Sequence, residues 1–308
     1  MSATAARRKK SASFTAPDAW AREMAGVSVT QSLFTKFQKL IHEETGIWLG
    51  ESKTALLCGR LSRRLRAQGI QTLDQYYDFV TRPDQDEERV SMIDAITTNE
   101  TRFFRDPRHF EFLEQRAIPR WRAEAQQGQR SKTIRLWSAG CSSGEEPYSL
   151  AMLLARHLPA EQGWDVTILA TDLSTRMLAQ ARLGIYSITK SSDIPEPLLK
   201  DYMLKGTGKQ EGQMKVMPEV RAMVDFEKLN LIHGPYPSGK HFDVILCRNV
   251  LIYFDPQSKQ KAVEHLTRCL CRNGLFLVGQ AENLSSMNLN LHSLAPAVYA
   301  RHGEHSGF

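Results

Sequence analysis

A chain of 308 residues is long enough for about two domains and for a core that folds without disulfide or metal staples. Forty Lys and Arg against 34 Asp and Glu give +6 at pH 7, and 42% hydrophobic with 24% charged residues excludes disorder as a whole-chain state. No apolar run approaches the roughly 18 residues of a membrane helix, and the basic start Arg7–Lys10 leads into SASFTAPDAW, so neither a secretory signal nor a spanning helix is expected. Residues 1–28, rich in Ala, Ser, Thr and basic residues, predict a disordered basic tail. From Thr30 to about Gln115 the apolar spacing is helical, with one stripe through Leu33, Phe37, Leu40 and Ile41 and another through Leu57, Leu61 and Leu65. This predicts an N-terminal all-α domain over 29–122, closed by the polar stretch AEAQQGQRSK.

Residues 123–308 read differently. IRLWSAG, DVTILATDL, FDVILCRN and GLFLVGQ are apolar runs of strand length, and the first three are each followed by a helical stretch. Such alternation predicts an α/β fold with a mostly parallel sheet covered by helices. Between Ile185 and Asn230 it breaks down around Pro195, Pro197, Pro218 and GTGKQEG, which predicts a small β-subdomain inserted over 186–228. Cys58, Cys141, Cys247, Cys269 and Cys271 form no C-x-x-C pair and read as reduced thiols. No H-E-x-x-H occurs, and His302 and His305 sit near a polar terminus, so no metal is expected.

The chemistry concentrates at strand ends. SAGCSSGEEPYS joins the first strand to its helix, where backbone N–H groups can approach a ligand, although any tight strand-to-helix turn has this look. The dinucleotide fingerprint G-x-G-x-x-G is absent, and Glu145 and Glu146 suit a helix N-terminus but repel a pyrophosphate, so a neutral or cationic ligand fits better. Asp172, ending the second strand, can accept both hydroxyls of a ribose or serve as a cap, a task open to Ser174 as well. The acid implies a nucleoside, and the charge at Glu146 favours S-adenosylmethionine (AdoMet) over a dinucleotide. In TTNETRFFRD the polar residues can cap a helix, which leaves Arg105 unexplained. Arg248 and Asn249 stand at a strand's C-terminal end, where open α/β sheets bind ligands; Tyr253 follows, with a core aromatic as its alternative reading.

ITTNETRFFRD, WSAGCSSGEEPYSLA, ATDLS, GIY, GTGKQEG, LNL, FDVILCRNVLIYFD and GLFLVGQAENL, in this order, resemble the chemotaxis receptor methyltransferases, the CheR family. The resemblance runs from about Thr30 to the C-terminus. It implies a class I (Rossmann-like) AdoMet methyltransferase domain with an N-terminal all-α domain and a small antiparallel β-subdomain insert. It also implies a cytoplasmic protein-glutamate O-methyltransferase that forms glutamyl methyl esters on methyl-accepting chemotaxis proteins and releases S-adenosylhomocysteine. By the same resemblance, Asn99, Thr101 and Arg105 reach AdoMet from the helical domain, Glu146 faces its methionyl part and Asp172 holds the ribose. Asn230 and Leu231 contact the adenine, Arg248 and Asn249 complete the pocket, and Arg105 and Tyr253 lie nearest the transferred methyl. Arg60, Arg63 and Arg64, on one helical face, are expected to dock the acidic methylation helices of the receptor, although a solvated charged face has the same appearance. The insert resembles one that grips a receptor C-terminal peptide by strand addition, with Lys205 and Lys215 where such members tend to carry Arg.

The rivals are an NAD-dependent oxidoreductase, a nucleic-acid methyltransferase and a basic adaptor without activity. The first lacks its glycine fingerprint, and the second lacks the Pro-Pro-aromatic or Pro-Cys motif of those families. The third leaves the grouping of Asn99, Arg105, Glu146 and Asp172 without a purpose. A methyltransferase acting on a different protein or small-molecule carboxylate remains the alternative within the class. Neither nucleic acid nor membrane insertion is expected.

Overall fold

A computed structural model describes residues 29–301 except 238, 240, 285, 286 and 288. The tail expected at 1–28, His302 and His305 lie outside the described residues. The chain forms two units, residues 29–37 with 50–96 and residues 38–49 with 97–301.

The first unit is helical. Helix α1 (Gln31–Thr45) starts in it, followed by α2 (Thr54–Gln68), α3 (Leu73–Val80) and α4 (Asp86–Ile96). Leu57, Leu61 and Leu65 are buried along one face of α2, as their spacing predicts. The helix stops at Gly69, whose φ of +67° suits glycine, and Ile70 N–H returns to the Leu65 carbonyl at 2.9 Å. Thr72 caps α3 by accepting the Gln75 N–H at 3.2 Å.

The expected docking arginines do not share a fate. Arg64 turns inward and forks onto Glu88, with Nε 2.9 Å from Oε1; the Glu88 side chain is 4% exposed and also accepts the Tyr76 hydroxyl at 2.5 Å and Gln68 Nε2. Arg60 donates to the Ile96 carbonyl, and of the three only Arg63 is exposed. Arg60 and Arg64 are thus half-buried and engaged within the unit, because a helix-end carbonyl and a buried acid offer their guanidinium groups better partners than water. Burial acts to raise the Glu88 pKa, but hydrogen bonds from Arg64 and Tyr76 outweigh it and hold the carboxyl below its usual range. We expect Glu88→Ala to cost about 3 kcal/mol, as for a broken buried pair. Stability from this carboxylate is present above its unfolded pKa of about 4.3 and is lost as pH falls through the lower folded value. Urea unfolding of the full chain at pH 7 and in acid checks both statements, the penalty of Glu88→Ala shrinking in acid.

The second unit begins with α5 (Pro107–Phe112), a π-turn (Leu113–Ala117) and α6 (Ile118–Gln126). Then come β1 (Thr133–Ala139), α7 (Glu145–His157), β2 (Asp165–Asp172), α8 (Thr175–Leu183), β3 (Ile185–Ser187), α9 (Glu196–Tyr202), β4 (Met203–Lys205) and β5 (Gln213–Val216). It ends with α10 (Pro218–Ala222), β6 (Val224–Lys228), β7 (Phe242–Cys247), α11 (Pro256–Arg268), β8 (Leu270–Val278), β9 (Leu291–Ala295) and β10 (Val298–Arg301). One sheet has the order β6-β2-β1-β7-β8-β10-β9, parallel from β6 to β8, with β10 and β9 antiparallel. Successive strand residues go to opposite faces. Leu136, Ile168, Val244 and Leu246 join one core with Leu150 and Leu154 of α7, whereas Trp137, Leu169, Ile245 and Cys247 join another with Ala262 and Leu266 of α11. Burial on both faces explains why these strands read as unbroken apolar runs.

Two expected boundaries move. Leu113, Ala117, Ile118 and Trp121 share the core of Ile134 and Leu136, so the units part at Ile96/Thr97 and the polar stretch 123–132 lies within the second unit, around the entry to β1. The insert is a three-stranded antiparallel sheet of order β3-β5-β4, but β6 pairs in parallel with β2, Val224 opposite Ile168, and so belongs to the large sheet. The chain leaves β1 toward β2 on one side, while β7 lies on the other; this reversal puts a crevice at the C-terminal strand ends.

Candidate active site at the carboxyl ends of the parallel strands

After β1 the chain turns sharply at Gly140 (φ +85°) and enters α7 through Gly144 (φ +94°). A Cβ at Gly140 would lie 2.4 Å from Val250 Cγ2, and one at Gly144 would lie 2.9 Å from Tyr186 Oη, so both positions demand glycine in conformation and in space. The turn is anchored to β2, since Gly140 and Cys141 N–H groups donate to the Thr171 carbonyl at 2.8 and 2.9 Å. Asp172 closes it: Oδ2 accepts the Ser142 N–H and Oδ1 the Ser174 N–H, both at 2.8 Å. Capping of α8 is done by Ser174, whose Oγ accepts the Met177 N–H at 3.2 Å. Asp172 thus orders the loop by accepting backbone N–H groups from both sides of it.

The adjacent acids at the start of α7 face different partners. Glu145 is fully buried, paired with Lys190 of the insert and accepting the Ser143 hydroxyl at 2.7 Å. Glu146 accepts the Ser138 hydroxyl at 2.7 Å and Arg248 NH1 at 2.9 Å. Arg248, its side chain 2% exposed, also reaches Asp106 Oδ2 at 2.9 Å and the Arg105 carbonyl. Two carboxylates therefore share one guanidinium. Close by, His109 is 1% exposed with both ring nitrogens lacking a partner among the described residues, and burial together with Arg248 brings its pKa down to about 4, so it is neutral at pH 7 and does not offset the acids.

The segment that carries Arg105 belongs to the second unit, not to the helical one. The Ser142 hydroxyl donates to the Asn99 carbonyl at 2.9 Å, and the Phe104 N–H donates to Ser149 Oγ at 3.0 Å. Thr101 is half-buried between them. Phe104 (φ +47°) and Asp106 (φ +55°) bracket Arg105 in the left-handed region, which costs non-glycine residues free energy and persists only when neighbours impose it. Arg105 NH1 donates to the Glu100 carbonyl at 3.0 Å, and its other donors find no partner among the described residues.

At the end of β6, Leu229 N–H donates to the Asp172 carbonyl at 3.1 Å, which brings the following Asn230 and Leu231 to the same mouth. The Asn230 carboxamide is engaged, donating to the Glu44 carbonyl at 2.7 Å and accepting the Ile232 N–H at 2.8 Å, and Leu231 is 7% exposed. After β7, Asn249 adopts φ +59°, and its Oδ1 is a buried acceptor without a partner among the described residues. Tyr253 is half-buried, and its hydroxyl makes no hydrogen bond among the described residues; its carbonyl accepts the Trp48 N–H at 2.8 Å. Arg60, Arg63 and Arg64 belong to the first unit.

Sequence reasoning missed Ser138, Asp106 and Glu282. Glu282, 2% exposed, accepts N–H groups from the loop after β7. It lies in GLFLVGQAENL, yet nothing in its spacing says that it folds back 33 positions to Asn249. Arg248 was expected in the pocket wall, whereas its guanidinium ends on Glu146, Asp106 and the Arg105 carbonyl.

AdoMet is tested against these residues by the orphaned Asn249 Oδ1, which requires a donor that the described residues do not supply, and by the surplus of acid around Arg248, which suits a cation. They fit. Among the described residues no cluster of three or more His, Cys, Asp and Glu could hold a metal, and no helix is long and apolar enough to cross a membrane.

Comparison with known proteins agrees with this geometry. The CheR methyltransferase SAM-binding domain matches residues 99–299 and the CheR methyltransferase all-alpha domain residues 32–97. The chain is 34% identical over 276 residues to the chemotaxis protein methyltransferase of Borreliella burgdorferi, covering 89% of this chain and 96% of that one. It is 35% identical over 271 residues to chemotaxis protein methyltransferase 2 of Pseudomonas aeruginosa (88% and 93% covered) and 35% identical over 275 residues to the Escherichia coli chemotaxis protein methyltransferase (89% and 92% covered). With matching domains across both units and relatives of nearly equal length, the chain belongs to the CheR family of AdoMet-dependent methyltransferases.

Proposed function

We propose that the protein transfers the methyl group of AdoMet to glutamate side chains on the cytoplasmic methylation helices of chemotaxis receptors, forming methyl esters that adjust receptor signalling. The observation that carries this reading is that the loop after β1 with Glu146, the end of β2 with Asp172, the segment after β7 with Arg248 and Asn249, and the turn that carries Arg105 are tied together by direct hydrogen bonds at the C-terminal strand ends. AdoMet, when bound, supplies a methyl carbon already activated by cationic sulfur. Asp172 would hold the ribose, Asn249 Oδ1 would accept from the ligand, Asn99, Thr101 and Glu146 would face the methionyl part, and Asn230 and Leu231 would flank the adenine.

A substrate glutamate has an unperturbed pKa near 4.3 and is ionised at neutral pH, so the site needs no general base. What this chain supplies is alignment, which accounts for roughly 7–11 kcal/mol where it is complete. Arg105 has donors to spare for one carboxylate oxygen pair, and the Tyr253 hydroxyl, which makes no hydrogen bond among the described residues, would steady the same group. Incubation with labelled AdoMet and receptor-containing membranes should give base-labile label on the receptor, as esters require; base-stable label overturns the proposal.

Arg63, exposed on α2, supports docking of an acidic receptor helix. Arg63→Glu should raise the receptor KM about fivefold, the size of ~1 kcal/mol for one surface charge, with AdoMet affinity unchanged. Steady-state kinetics against receptor and AdoMet separately checks it. In the insert, β4 is an edge strand with Leu204 45% exposed and Lys205 exposed, which supports addition of a receptor C-terminal peptide as a further strand. Calorimetry with that peptide tests this.

A further inference from the structure

The loop Asn249–Tyr253 has no regular ladder of its own beyond a short turn, yet its backbone is ordered around one side chain that the proposed chemistry does not use. Glu282 is 2% exposed, and its carboxylate accepts the N–H groups of Asn249 at 2.9 Å, Val250 at 3.0 Å, Ile252 at 3.3 Å and Gly279 at 2.5 Å. Three of these donors come from one five-residue loop. Successive amides turned toward a common point form an anion nest, and here the anion is built into the protein. Two further observations show that the approach is constrained. Asn249 is held at φ +59°, and a Cβ on Gly279 would lie 2.8 Å from Glu282 Oε2 and 3.0 Å from the Asn249 nitrogen, so only glycine lets the two segments close. The same loop carries the orphaned Asn249 Oδ1 at its start and Tyr253 at its end in sequence.

We infer that Glu282 is the positioning residue of this site, fixing the Asn249–Tyr253 loop in its ligand-receiving shape through three of the loop's backbone amides and tying it to Gly279 through a fourth. The inference rests on the reading of Asn249 as a cofactor contact. Glutamine is nearly isosteric but puts an NH2 where a carboxylate oxygen now accepts two N–H groups, so Glu282→Gln sets donor against donor and releases part of the loop. At a temperature where the variant stays folded by circular dichroism, calorimetric affinity of the full chain for S-adenosylhomocysteine should fall at least tenfold. The KM for AdoMet should rise in parallel while the KM for receptor holds. Leu266→Ala, which removes a buried core side chain on α11, serves as the comparison for general destabilisation and should retain the parent affinity.

A parent-like affinity in Glu282→Gln, even with a lowered melting temperature, overturns the inference and leaves Glu282 a purely structural group. An equal loss of affinity in Leu266→Ala overturns it too. Asn249→Ala, measured alongside, addresses the underlying reading: parent-like affinity there removes Asn249 from the cofactor site, whereas parent-like affinity in Glu282→Gln alone removes only the positioning role.

Discussion

Replacing Arg105 by alanine should slow glutamyl methyl-ester formation by on the order of 10²–10³, the cost of removing one donor aimed at a reacting oxygen. The fold should survive. Arg105 is half-buried, and its one hydrogen bond goes to the Glu100 carbonyl, so its removal leaves no buried charge behind. The turn that presents it is held from elsewhere, by Ser149 Oγ on the Phe104 N–H and by Arg248 on the Arg105 carbonyl and Asp106. Two left-handed residues either side of Arg105 are maintained by those contacts, which is how strain is commonly retained where a side chain must point into a site. Lysine should recover little, because a point charge cannot reproduce a fork on a carboxylate. Single-turnover rates at saturating receptor and AdoMet, with melting temperature as the control, measure the loss. Full activity in Arg105→Ala would take Arg105 out of the mechanism.

The parts of this fold legible in the sequence are those where one local signal suffices. Strands β1, β2, β7 and β8 are buried on both faces and so read as apolar runs, and the glycines at 140 and 144 mark the turn that follows β1. VDFEK (β6) hides because it is the sheet's edge, with a single buried residue at its start. The unit boundary hides because α5 and α6 have the same period as the helices before them; only the identity of the core they enter separates them, and period carries no such information. The arginines of α2 show the same limit. Arg60 and Arg64 share a face with Arg63 in projection, but whether a guanidinium meets water or an acid depends on Glu88, 24 positions away from Arg64. Candidate residues at strand ends could be named from the sequence because open α/β sheets put ligands there. Residues that hold those residues, such as Glu282 and Asp106, were not, because their partners are distant in sequence.

The sequence also suggested two acids at the mouth of the first turn, acting on a ligand directly. In the structure Glu145 is neutralised by Lys190 and Glu146 is half-neutralised, since it shares Arg248 with Asp106. The preference for a cation over a diphosphate therefore rests on a balance of charges, two acids to one guanidinium, and not on a single exposed carboxylate. His109 leaves that balance intact by remaining neutral. Arg248 is then less a wall of the pocket than the keystone that sets how much negative charge the pocket retains.

Arg248→Met should therefore be strongly disruptive in the second unit. Methionine fills the space but leaves Glu146 and Asp106 facing each other without a cation, and breaking a buried pair of this kind costs about 3–5 kcal/mol. The same substitution frees the Arg105 carbonyl and the strained turn, so methyl transfer should be lost together with stability. Adding Asp106→Asn should recover part of the stability by removing one of the stranded charges. Urea midpoints of the two variants test this ordering. Were Arg248 chiefly a ligand contact, Arg248→Met would keep the parent's unfolding midpoint and lose only its affinity for S-adenosylhomocysteine, and the second substitution would add nothing.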